Sequence, residues 1–177
     1  MYTLTNSNVI IFSFPKTIED VVSNKPLSPK DTVEFRLNDL ELEVFYNRPS
    51  KREREIFGGL VEYNKVWRTG ANEATTFETN QALKIGNDSL AAVKYTLWTI
   101  PNKDSWHIIF NSKHYSWGVD DAMQAMREAE FDVINIDVQV EEIPSIVEQF
   151  TIAFDNSTDN LSLTMAWDKT KIVVPLK

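Results

Sequence analysis

Arg68, Asn72 and Glu73 stand close together in the stretch Phe57 to Phe77, FGGLVEYNKVWRTGANEATTF, which has no clean helical or strand period. Gly70 among them permits a backbone turn that brings a guanidinium, an amide and a carboxylate to one place. Such a set grips an anionic or hydroxyl-rich group. Arg68 and Arg48 would hold it, and Glu73 would act as a general base or a ligand-binding carboxylate. The same residues also read as a clamp, an Arg fork facing a carboxylate that ties a long loop down. Aromatic side chains offer flat faces to a sugar-like ligand, but Trp106 shares a strand face with Ile108 and Phe110, and Trp98 shares one with Ile100, which predicts core. Trp117, followed by Gly118 in an irregular stretch, is the tryptophan expected to line a pocket. The candidate ligand-binding set is therefore Arg48, Arg68, Asn72, Glu73 and Trp117.

Other chemistries find no matching residues. The chain of 177 residues has no cysteine, which removes disulfides, thiolate nucleophiles and Cys-ligated metal centres. His107 and His114 are seven apart, one in a strand pattern and the other in an irregular stretch, a spacing that fits no zinc helix or finger, so no metal is expected. Asp155, Asn156, Asp159 and Asn160 lack the closing Glu of a calcium loop and read as a hairpin turn. No Gly-x-Ser-x-Gly elbow, phosphate loop or dinucleotide fingerprint is present, and no cofactor is expected. Glu62, Glu73 and Glu78 are near one another in sequence, but a glycosidase reading turns on their separation in space. Eighteen basic against 26 acidic residues give a net charge of −8, which repels phosphate backbones and anionic headgroups, so nucleic acid is not an expected partner. The apolar run Val9 to Phe14 is far short of a membrane span and lacks a basic leader, so membrane insertion is not expected, and a complete chain of this sequence belongs in the cytoplasm.

The elements that must position these residues are almost all strands. Val9 to Phe14 predicts a strand and Pro15 to Val22 a short helix, followed by a linker broken by Pro26 and Pro29. Leu40, Leu42, Val44 and Tyr46 alternate with Glu41 and Glu43, the pattern of a strand with one buried face that delivers Arg48 at its end. The run Lys51 to Glu55, KRERE, reads as a solvated turn. Thr75 to Thr79 and Ala82 to Ile85 read as strands, with turn residues at Gly86, Asn87 and Asp88. Val93 to Ile100 and Ser105 to Asn111 form the clearest hairpin, joined by Pro101 to Asp104. Asp120 to Glu130 predicts a short helix, N-capped by Asp120 or Asp121 and rich in Ala, Met and Glu. Ile134 to Val140, Phe150 to Phe154, Leu161 to Trp167 and Ile172 to Leu176 follow as strands, the last closing a hairpin across Asp168, Lys169 and Thr170. About nine or ten short strands with one or two short helices and no βαβ alternation predict an all-β fold, an antiparallel β-sandwich, with a flattened barrel as the alternative. The expected organisation is an N-terminal extension over residues 1–25 and a single β-sandwich domain over 26–177, a length that buries roughly 70% of the unfolded surface.

Three segments carry a resemblance. Arg48-Pro49-Ser50, Ile56 to Val61 (IFGGLV) and Val66 to Thr75 (VWRTGANEAT) resemble the hallmark of the bacterial domain-of-unknown-function family 2911. Further matches lie at Tyr95 to Pro101, Trp106 to Asn111, Trp117-Gly118, Phe150 to Phe154 and Ala166 through Pro175, so the resemblance covers about residues 26 to 177. The chain departs from the family pattern at Ala91-Ala92-Val93, at Glu53 and in the acidic, Met-rich segment 120–130, none of which touches the candidate site. The resemblance implies no activity. It does imply an exported or periplasmic envelope protein, although no signal peptide stands at the head of this sequence. Taken together, these residues predict a binding or accessory module whose polar loop pocket takes a polar small molecule or a peptide or protein partner. The alternatives are a hydrolase using Glu73 as general base and a structural subunit of an envelope protein assembly.

Overall fold

A computed structural model describes residues 26–157 and 160–177. The strand expected at Val9 to Phe14, the helix expected from Pro15 to Val22 and the N-terminal extension lie outside the described residues. The alternation around Val44 becomes β2 (Leu40–Asn47), which buries Leu42, Val44 and Tyr46 and leaves Glu41 in solvent. It pairs antiparallel with β1 (Lys30–Leu37), a strand where the sequence reading placed only a linker. Asn38 and Asp39 turn the chain between them, Asn38 at a φ of 53°, which an Asn adopts more readily than most residues.

The remaining strands are β3 (Thr76–Thr79), β4 (Leu83–Ile85), β5 (Asp88–Leu90), β6 (Lys94–Pro101), β7 (Ser105–Asn111), β8 (Asp132–Asp155) and β9 (Ser162–Pro175). Seven of them form one sheet in the order β1-β2-β3-β6-β7-β8-β9, and β4 and β5 form a separate hairpin. Every pairing between these strands is antiparallel. The all-β antiparallel class read from the sequence is the class observed, and the larger sheet curls into a half-barrel.

The curl is made by β8. The sequence pattern breaks around Ile143-Pro144 and reads as two strands, but the backbone stays extended for 24 residues and bends where its register slips between Glu142 and Thr151. Before the bend β8 pairs with β7, with Ser105 opposite Gln139. After the bend it meets the continuation of β2: Lys51 N–H donates to Glu148 O at 2.7 Å, Phe150 N–H donates to Pro49 O at 2.9 Å, and Ser50 bridges Gln149. The sheet thereby faces itself, with Phe35 of β1 against Phe154 of β8 at 5.9 Å and Tyr46 edge-on to Phe150 at 5.8 Å. Trp98 and Trp106 are buried, as their strand faces predict.

Two local expectations are corrected. Asp168 does not turn a hairpin: at a φ of 55° it sits within β9, which runs on to Pro175, and its carboxylate pairs with Lys51 at 2.7 Å. Asp120 to Glu130 is not a helix. Asp120 does cap a turn, accepting from the N–H groups of Ala122 at 2.9 Å and Gln124 at 2.8 Å, but Met123 at a φ of 61° stops helical propagation. A single 3-10 turn at Ala129–Phe131 follows, and among the described residues no helix is long and apolar enough to cross a membrane.

Candidate functional site

The central loop is pinned to β6 before it offers anything to a ligand. Trp67 exchanges backbone hydrogen bonds with Thr99 at 2.7 and 3.0 Å, and its indole N–H donates to Gly70 O at 3.0 Å. Thr69 at a φ of 57° and Gly70 at 158° turn the chain sharply, and Thr75 Oγ1 donates to Thr69 O at 2.8 Å. A Cβ at Gly70 would come within 3.0 Å of Asn47 O and of Thr75 Oγ1, so the turn requires glycine. A strap from the β7–β8 connection crosses the same loop. Gly118 lies so close that a Cβ there would stand 3.4 Å from the Cβ of Arg68, and Val119 bridges Ala125 beyond it.

The sequence-predicted residues fall into separate places. Arg48 ties two strands together, donating from Nε to Phe150 O at 3.2 Å and from Nη2 to Thr151 Oγ1 at 3.0 Å, with Asp31 at 3.3 Å from Nη1. Glu73 faces away from Arg68. Its carboxylate pairs with Lys30 at 2.5 Å and accepts from Asn47 Nδ2 at 2.9 Å. The Lys30 hydrogen bond, with help from its own backbone N–H and Asn47, holds the Glu73 carboxyl below the usual range. Asn72 joins this cluster through Asn47 Oδ1 at 3.4 Å and Ser28 O at 3.3 Å. Trp117 is 48% exposed and does not line the cavity described next.

Arg68 lines that cavity, a space of about 860 Å³ between the loop that follows β2, the central loop, the strap and Trp167 of β9. Its Nε is buried and has no hydrogen-bond partner, and no carboxylate pairs with its guanidinium among the described residues. Among the described residues only the indole N–H groups of Trp98 and Trp106 share that condition, and neither carries a charge. Burial pulls the Arg68 guanidinium below the ordinary arginine range, with nothing opposing it, yet an arginine stays protonated at neutral pH. Arg52, Arg54 and Lys65 also border the cavity, and Glu62 is the acidic residue among its lining. Its floor is aromatic: Trp67 stacks on Trp167 with centroids 6.1 Å apart and rings 17° from parallel. The arrangement presents a partly desolvated cation beside apolar surface, which is chemistry for holding an anion.

The match to the family model runs over residues 28–176. The chain belongs to DUF2911, a family of proteins of unknown function. No curated protein and no solved structure matches it.

In this DUF2911 chain the clamp expected between Arg68 and Glu73 is absent, because Lys30 on the unforeseen strand β1 reaches Glu73 instead. Arg52, Arg54 and Lys65 were missed as cavity residues. The KRERE run is indeed a turn, in which Arg54 Nε donates to Lys51 O at 3.0 Å, and nothing in its local pattern shows that the turn faces Arg68. Asn47 was missed too, although a polar residue ending the alternating run of β2 is the available signal. His107 meets Asp137 on the neighbouring strand, and no cluster of His, Asp and Glu suited to a metal ion occurs among the described residues.

Proposed function

We propose that this DUF2911 domain is a binding module whose ligand carries an anionic group held by Arg68 in the cavity beside the strap. The observation that supports this is the unpaired guanidinium itself: a half-buried cation whose buried Nε has no partner among the described residues costs folding free energy, and a cavity of ligand size opens onto it. Export to the cell envelope, as the family resemblance implies, is part of the same reading. Glu73 lends no support to a hydrolase, since a carboxylate tied to Lys30 and Asn47 with a depressed pKa is a weak base. The test is thermal unfolding against a panel of small organic and inorganic anions. Binding to the folded state alone raises Tm with ligand concentration, and the shift is expected to vanish in Arg68→Met. An anion that stabilises parent and variant equally would place the ligand elsewhere and overturn the reading.

A further inference from the structure

The dimensions and lining of the cavity say more about the ligand than its charge does. About 860 Å³ lies within the range of roughly 300–1,000 Å³ that holds drug-sized molecules, and a bare inorganic anion would leave most of it filled with water. About half of its wall surface is apolar. Half-buried Trp67 lies in its lining, backed by the buried Trp167, and Leu27, Leu60 and Met123 also line it at 70%, 48% and 65% exposure. Single exposed apolar side chains are ordinary, but a group of them around one concave surface is informative. Met123, on the strap, has the unbranched thioether that adapts to ligands of varied shape.

Resting on the anion-site reading above, we propose that the ligand is an amphipathic oxyanion. Its carboxylate or phosphomonoester head sits on the Arg68 fork, and its apolar body lies over Trp67 between Leu60 and Met123. Arg52, Arg54 and Lys65 at the border favour the approach of the head without each needing a direct bond. The Arg68 fork suits either oxyanion, because guanidinium N–H pairs match two oxygens of both groups.

Isothermal calorimetry on the full chain tests this with acetate, inorganic phosphate, octanoate, octyl phosphate and octan-1-ol. Octanoate or octyl phosphate is expected to bind at least about 10-fold more tightly than acetate or inorganic phosphate, because each buried methylene adds to affinity. The tighter of the two octyl compounds identifies the head. Octan-1-ol is expected to bind more weakly than both, and Arg68→Met to weaken the octyl anions by about 10-fold or more. Leu60→Asn is expected to weaken the octyl anions while leaving acetate and phosphate unchanged. Octyl anions that bind no better than their short counterparts overturn the apolar body, and if the short anions still depend on Arg68 the anion-site reading stands alone. Octanol binding as well as the octyl anions overturns the head. Arg68→Lys keeps the charge and loses the fork, and serves if the Met variant does not fold: affinity equal to the parent overturns the assignment of the head to Arg68.

Discussion

Arg68 and Glu73 are five positions apart and lead opposite electrostatic lives. Arg68 has a buried Nε without a partner, whereas Glu73 has two partners near the surface. Substituting them should therefore move stability in opposite directions. Arg68→Met removes an unsatisfied, partly desolvated group and is expected to raise stability by on the order of 1 kcal/mol, a Tm rise of about 2–4 °C for a chain of this size. Glu73→Gln loses an exposed ion pair and is expected to lower stability by less than about 1 kcal/mol at neutral pH. Because the Glu73 pKa is depressed in the folded state, its contribution is present above the unfolded value near 4.5 and is lost as the pH falls through the folded value. The Gln variant should show a flatter fall of stability with acid over that window, followed by urea titration at a series of pH values. A parent and variant with parallel acid profiles would mean that Lys30 does not hold the carboxylate in solution. The density of polar residues around Gly70 was legible in the sequence. Their partners were not, because Lys30 and Asn47 reach Glu73 only through the pairing of β1 with β2.

Strands β2 and β8 are joined by a side chain as well as by their backbones. Tyr46 Oη accepts from Ile152 N–H at 3.0 Å and stands 3.3 Å from Asp31 Oδ2, in a place where burial raises its pKa. Tyr46→Phe keeps the ring against Phe150 but orphans a buried backbone N–H, a loss of about 1–3 kcal/mol expected as a lower urea midpoint with an unchanged slope. A changed slope would indicate that the two strands separate. Strand β2 was legible in the sequence because its alternation marks one buried face, and the β6–β7 hairpin because two apolar runs, buried on both faces in much of their length, flank the turn residues Pro101 to Asp104. Strand β1 was not, since it follows two prolines and its inward residues Val33 and Phe35 are only half-buried at the edge of the sheet. The segment 120–130 misleads for another reason. Its Ala, Met and Glu content favours a helix, but propensity is a weak prior, and the segment instead runs as a strap that borders the cavity with Val119, Ala122 and Met123.

Across the whole molecule, a chain with a net charge of −8 gathers Arg52, Arg54, Lys65 and Arg68 around one concavity. The surrounding negative field discourages polyanions from approaching, while the local cluster favours a single small one, and that attraction weakens with added salt. No periodicity in the sequence announces this, because the cations come from two ends of the long β2–β3 connection, one held against β8 through Lys51 and Glu148 and the other against β6 through Trp67 and Thr99. The pairing of Trp67 with Trp167 has a further consequence. Trp67, half-buried on the cavity wall and stacked 6.1 Å from Trp167, is an intrinsic optical gauge, whereas Trp98, Trp106 and Trp167 are themselves buried. An occupant that displaces water from Trp67 should shift its emission to shorter wavelength and alter the signal it shares with Trp167 in near-ultraviolet circular dichroism, so the cavity can be watched filling without any label.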